Sequence, residues 1–177
     1  MKKILAFGAS NSQQSINKKF VQYATSQLAD VEVNLLDLND YEMPIFSIDR
    51  QNADGIPELV QQFKAQIDAA DGIVISFAEH NGAYTAAYKN IYDWVSRIDM
   101  NVWQNKPMLL LATSPGGRGA KGVLDLALRS YQFSNKNTIA SFSLPAFTKN
   151  FSTETGISDE SLNQTFREQL DLFAAAL

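Results

Sequence analysis

Ser10, Ser12, Ser15 and Asn17 lie close together just after a short apolar run, Ile4 to Phe7, and a single glycine, Gly8. All four side chains are neutral hydrogen-bonding groups, and no lysine or arginine stands between Gly8 and Asn17. The apolar run reads as a buried strand, and a helical pattern begins at Ser15 and Ile16. A strand–loop–helix corner of this kind aims backbone N–H groups and the positive helix end at whatever binds there. Hydroxyls and N–H groups without a cation suit a monophosphate. An ordinary strand-to-helix turn with a serine cap would use the same residues. Two further stretches carry polar or permissive residues. Ala78-Glu79-His80-Asn81-Gly82 is a polar corner with an Asn-Gly turn signal. Thr113 to Gly119 includes Ser114, Pro115, Gly116, Gly117 and Arg118, and its glycines let backbone approach a flat ring closely.

The composition removes several chemistries. There is no cysteine, so disulfides and cysteine nucleophiles are excluded. His80 is the only histidine, which argues against zinc-finger sites and a serine–histidine triad. The net charge is −4 and no basic run occurs, so no nucleic-acid partner is indicated. No apolar run approaches the roughly 20 residues needed to span a bilayer, and the short apolar start is a poor leader, so a cytoplasmic location away from membranes is expected. The first loop lacks the Gly-Lys-Ser/Thr of a nucleoside-triphosphate loop and the three glycines of a dinucleotide fingerprint.

The elements that must position these loops follow from periodicity. Ile16, Phe20, Ala24 and Leu28 recur every four residues as one helix face. Val31 to Leu38 reads as a second strand, and Asn39 to Asp54 as a long loop without a period. Asp54-Gly55-Ile56-Pro57 opens a helix whose stripe is Ile56, Val60, Phe63, Ile67 and Ala70. Gly72 to Phe77 is a third strand. Tyr84, Tyr88, Ile91, Val95 and Ile98 share a helix face. Met108 to Ala112 is a fourth strand, a helix runs to about residue 133, Thr138 to Leu144 is a fifth strand, and a last helix starts near Ser158. At 177 residues this predicts one domain over 1–177, an α/β fold with an open parallel sheet covered on both faces. The three unusual loops then leave the same carboxyl edge and form one pocket.

These residues resemble the NAD(P)H-dependent FMN reductases, a family with quinone, chromate and azo-compound reductases among its members. Ala9-Ser10-Asn11-Ser12-Gln13-Gln14-Ser15-Ile16-Asn17 is similar to the family's Gly-Ser-x-Arg-x-x-Ser-x-Asn signature. Phe77-Ala78-Glu79-His80-Asn81-Gly82 is similar to its Thr-Pro-Glu-Tyr-Asn-Gly corner. Lys89-Asn90-Ile91-Tyr92-Asp93-Trp94 matches its Lys-Asn-x-x-Asp-Trp, and Ser114-Pro115-Gly116-Gly117 its Ser-Pro-Gly loop. The resemblance implies a flavodoxin-like three-layer sandwich with strand order 2-1-3-4-5 and non-covalently bound FMN. By position, Ser10, Ser12, Ser15, Ile16 and Asn17 would hold the phosphate. Ala78, Glu79, His80, Asn81 and Gly82 would line the ring, and Ser114, Gly116, Gly117 and Arg118 would border its other side. The implied activity passes hydride from NADPH or NADH to FMN, then electrons to a quinone, free flavin or similar small acceptor. A homodimer or homotetramer is also implied. The alternatives are a flavodoxin-type electron carrier without its own NAD(P)H activity, and a member that has lost its cofactor. Departures from the pattern are Ala9 for glycine, Ser12 for arginine, Ala78 for proline and His80 for tyrosine. Tyr41, Met43 and Phe46 in the long loop are candidates to cap a partner subunit's substrate pocket.

Overall fold

A computed structural model describes residues 1–177. Five parallel strands form the central sheet: β1 (Lys2–Ala9), β2 (Val31–Leu36), β3 (Gly72–Phe77), β6 (Met108–Thr113) and β7 (Ile139–Leu144). Their order is β2-β1-β3-β6-β7, the expected 2-1-3-4-5. The main helices are α1 (Ile16–Ser26), α3 (Glu58–Ala69), α4 (Ala86–Val95), α5 (Lys121–Ser134) and α7 (Glu160–Ala176). Shorter elements are a 3₁₀ turn (Leu38–Tyr41), α2 (Ile48–Asp54), the hairpin β4 (Glu79–His80) and β5 (Ala83–Tyr84), α6 (Phe147–Asn150), and the paired strands β8 (Phe151–Ser152) and β9 (Gly156–Ile157).

The alternation of side chains along each strand divides the core in two. Leu5, Phe7, Ile73, Ile75 and Leu110 face α3, α4 and α5 within one apolar cluster. Ile4, Ala6, Val74, Leu109 and Leu111 lie in a second cluster with Phe20 of α1 and Phe166, Leu170 and Phe173 of α7. β3 and β6 are buried at every position because helices cover both of their faces. β2, at the sheet edge, leaves Glu32, Val33 and Asn34 exposed.

The sequence pattern did not show α2. This helix buries none of its residues, so it has no apolar stripe to read. Its signals are local: the Ser47 hydroxyl accepts from the Arg50 N–H at 3.1 Å, and Gly55 ends it at φ 77°. Asn81 and Gly82, both at positive φ, form the two-residue turn of the β4–β5 hairpin, as an Asn-Gly pair favours.

Register brings the strand ends level. Ala9 pairs with Phe77, Phe77 with Ala112, and Thr113 with Leu144. The loops after β1, β3 and β6 therefore leave one edge. The first turn of α1 packs directly on β1 there, and an added Cβ at Gly8 would sit 2.6 Å from the Lys18 backbone nitrogen. Backbone cannot yield as a side-chain tip does. Gly8→Ala is expected to destabilise the fold by about 1–3 kcal/mol, read as a lower urea midpoint at unchanged slope.

Candidate functional site

Ser10, Ser12, Ser15, Ile16 and Asn17 from the first loop, Ala78, Glu79 and His80 from the second, and Thr113, Ser114 and Pro115 from the third line one open cleft of about 270 Å³. Gln14 completes the lining. The three loops thus meet as the parallel sheet requires. Asn81 and Gly82 lie at the exposed hairpin tip, and Gly116, Gly117 and Arg118 are exposed beyond Pro115, all outside this lining.

The first loop presents neutral hydrogen-bond donors. Ser10 Oγ accepts from the Ser12 N–H at 3.1 Å, Ser12 Oγ from the Gln14 N–H at 3.3 Å, and Ser15 Oγ from the Lys18 N–H at 3.2 Å. Each hydroxyl spends a lone pair on the loop and keeps its hydrogen free to donate. The N–H groups of Ile16 and Asn17, at the start of α1, have no intrahelical acceptor. Three O–H groups and two N–H groups are therefore available at the positive end of an 11-residue helix. No lysine or arginine lines the cleft. Lys18 is engaged elsewhere, with Asp37 at 2.5 Å.

The Asn17 side chain has a different task from the one its position in the loop suggests. It is 2% exposed. Its Oδ1 accepts from Ser76 Oγ at 2.7 Å and from the Thr113 N–H at 3.2 Å, and its Nδ2 donates to the Thr113 carbonyl at 3.2 Å. This carboxamide clasps α1 to β3 and β6. Thr85, at the start of a helix and not among the candidate site residues, makes a parallel clasp: its Oγ1 donates to the Ala9 carbonyl at 2.9 Å and caps α4 by accepting from the Tyr88 N–H.

Glu79 caps a helix. Its carboxylate accepts from the Val123 N–H at 2.7 Å, in the first turn of α5. The residue before α5, Ala120, is left-handed at φ 58° and supplies no cap of its own. The acid thereby fixes the hairpin against α5 and satisfies an orphan donor. His80 is exposed. On the second strand of the hairpin Tyr84 is half-buried, and the loss of solvent pushes its phenol up to about 12, so it stays protonated at neutral pH.

The glycines of the third loop divide in two. At Gly119 (φ 58°) a Cβ would meet the Leu144 backbone at 2.8 Å, so the fold itself demands glycine. A Cβ at Gly117 would meet nothing within 4 Å, and one at Gly116 only Ser114 Oγ at 3.8 Å. Neither of these two has positive φ. Packing within the chain gives no reason for glycine at either position.

The Lys89–Asp93 pair, at 2.6 Å, is the expected i,i+4 surface pair. Asn90 and Trp94 of the same motif reach the long loop. Asn90 Oδ1 accepts from the Phe46 N–H at 2.8 Å, and its Nδ2 donates to the carbonyls of Met43 and Pro44 at 3.1 and 3.2 Å. Trp94 Nε1 donates to the Pro44 carbonyl at 2.7 Å. Asn90 and Trp94 stand one helical turn apart, a spacing visible in the sequence; their partners are not.

A five-stranded parallel sheet in this order, with helices on both faces and an anion-suited loop after its first strand, defines a flavodoxin-like α/β protein. The chain belongs to the NADPH-dependent FMN reductase family, whose description matches over residues 2–149. It is 35% identical over 88 residues to a quinone reductase of Escherichia coli K12, covering 50% of this chain and 46% of that protein. It is 33% identical over 120 residues to a 2-hydroxy-1,4-benzoquinone reductase of a Burkholderia species, covering 66% of this chain and 63% of that one. The matched stretch is thus about half the length of the first relative and somewhat under two thirds of the second. Among solved structures, the NAD(P)H:acceptor oxidoreductase FerB of Paracoccus denitrificans superposes with a TM-score of 0.75 at 23% identity, covering 99% of this chain and 97% of the other. At that identity the likeness concerns the fold. No helix of the protein is long and apolar enough to cross a membrane.

The Lys18 ammonium, hydrogen-bonded to Asp37, holds that carboxyl below the usual carboxylate range. A lowered acid stabilises the fold above its unfolded value, about 4, and loses that contribution as pH falls through the lowered value. Asp37→Asn is therefore expected to flatten the loss of stability on the acid side of pH 4, measured by urea midpoints across that range.

Proposed function

We propose that this chain is an FMN-dependent NAD(P)H oxidoreductase that reduces a quinone, free flavin or similar small acceptor. The observation that carries the reading is the first loop: three serine hydroxyls with unspent hydrogens and two helix N–H groups, all neutral, at one cleft. That set fits a terminal phosphate monoester. Family membership points to the same cofactor, and two matched relatives are named as quinone reductases.

Ser10, Ser12 and Ser15 would hold the FMN phosphate with the Ile16 and Asn17 N–H groups. Ala78, Glu79, His80, Asn81 and Gly82 would line the ring on the hairpin side. Ser114, Gly116, Gly117 and Arg118 would border it on the other. Gly116 and Gly117, unneeded by the chain's own packing, allow a flat ring to lie against backbone. When bound, FMN supplies the hydride and electron chemistry, so the protein's work is to bind, orient and exclude water. Overall, NAD(P)H gives up a hydride, and the acceptor gains two electrons and two protons, one of them from solvent. We propose the same reading for a single domain over 1–177, a cytoplasmic location and a homodimeric or homotetrameric assembly.

The test is the visible spectrum of protein soaked with FMN and desalted, followed anaerobically after NADPH is added. Retained flavin that bleaches rapidly is expected. Retained flavin that bleaches only with a chemical reductant would contradict the reductase and favour an electron carrier. Absence of both flavin retention and turnover with free FMN would remove the flavin reading. Because a charge-assisted hydrogen bond is about twice as strong as a neutral one, Ser12→Arg is expected to tighten FMN binding about fivefold, checked by quenching of flavin fluorescence.

A further inference from the structure

The second loop brings Ala78, Glu79 and His80 to the cleft. The hairpin that it enters is short: Glu79 pairs with Tyr84 and His80 with Ala83. A hairpin of this size does not hold its shape alone in water. Groups outside it must fix where its backbone lies. On the α4 side, the Tyr84 ring packs against Phe77 and Tyr88, with centroids 5.7 and 5.1 Å apart. On the α5 side, the Glu79 carboxylate accepts from the Val123 N–H at 2.7 Å.

Gly122, the residue before Val123, makes room for that bond. A Cβ built on Gly122 would sit 2.7 Å from Glu79 Oε2, too close for the two atoms to coexist. Outside the helix's own backbone, the three nearest atoms to that carbon all belong to the Glu79 carboxylate. The φ of Gly122 is not positive, so its backbone conformation is open to any residue. Alanine would also favour the helix more than glycine does. What glycine gives α5 here is access for a carboxylate from another loop. The atoms in the way are the tip of a flexible side chain. A methyl group at this position therefore pushes the carboxylate aside and leaves the α5 backbone in place.

We propose that Glu79 is a positioning residue for the flavin: its carboxylate, admitted by Gly122, holds the hairpin backbone where the ring is to lie. The proposal rests on the FMN reading above. It gives the Glu79 carboxylate no proton to move and no contact with the ring, because that group is engaged on α5. It also gives a part in binding to Gly122, which is exposed and does not line the cleft.

The test measures FMN affinity by quenching of flavin fluorescence for wild type, Gly122→Ala, Glu79→Ala, Glu79→Gln and the double variant Glu79→Ala/Gly122→Ala. Urea midpoints of the flavin-free proteins are taken in parallel. Gly122→Ala is expected to weaken FMN binding about fivefold at a urea midpoint close to that of wild type, because the helix gains from alanine as it loses the cap. Glu79→Ala is expected to weaken FMN binding about tenfold. Glu79→Gln keeps an oxygen that can accept from Val123, and is expected to bind FMN about fivefold more tightly than Glu79→Ala. In the double variant the losses do not add. With the carboxylate gone, Gly122→Ala has nothing left to displace, and FMN affinity equals that of Glu79→Ala.

Wild-type FMN affinity in Gly122→Ala would overturn the proposal, and so would losses that add in the double variant. Glu79→Gln as weak as Glu79→Ala would overturn it in favour of a direct effect of charge. A loss of FMN affinity in Gly122→Ala that comes with a fall in its urea midpoint would mark a merely structural role and overturn it too. Each of these outcomes leaves the flavin reading standing. Wild type that binds no FMN would overturn the reading and the positioning role together.

Discussion

The carboxamide of Asn17 holds the carboxyl edge of the sheet together. It is buried, and it makes three hydrogen bonds to Ser76 and Thr113 on two neighbouring strands. In a low-dielectric interior such a group is costly unless satisfied, and once satisfied it specifies one arrangement. That arrangement seats α1 against β1, where Gly8 admits the close approach. It also presents the first N–H groups of the helix at the cleft. The Thr85 clasp to Ala9 and the Glu79 cap of α5 extend the principle to the other two loops. Polar side chains join the loops to elements far away in sequence.

Neutrality is the second constraint. A phosphate in this cleft would meet hydroxyl and amide hydrogens in place of ammonium or guanidinium groups. Lys18, the nearest cation in the helix, is turned to Asp37. Directional donors discriminate by geometry, whereas a point charge attracts any anion. The cost is strength per contact, which the number of converging donors offsets.

The fold was legible because its signals are periodic. Alternating strands, helix stripes such as Ile16-Phe20-Ala24 and the Asn81-Gly82 turn all carry local patterns that survive into the structure. The three loops at one edge followed from parallel topology alone, and they do line one cleft. Helix α2 was illegible because it buries nothing. The roles of Asn17, Glu79 and Asn90 were hidden for another reason. Their partners stand 59 and 96, 44, and 44 to 47 positions away, and no spacing rule connects a side chain to so distant a group. Sequence offered the Asn17 amide as a donor in the first loop, and in the structure that carboxamide clasps α1 to β3 and β6.

The most direct measurement of the account is calorimetric titration with FMN and with riboflavin, which differ only in the phosphate. If the β1–α1 loop is a phosphate cradle, FMN binds at least about a hundredfold more tightly, the equivalent of two or more charge-assisted hydrogen bonds. Equal affinities for the two, or binding of neither, would contradict it.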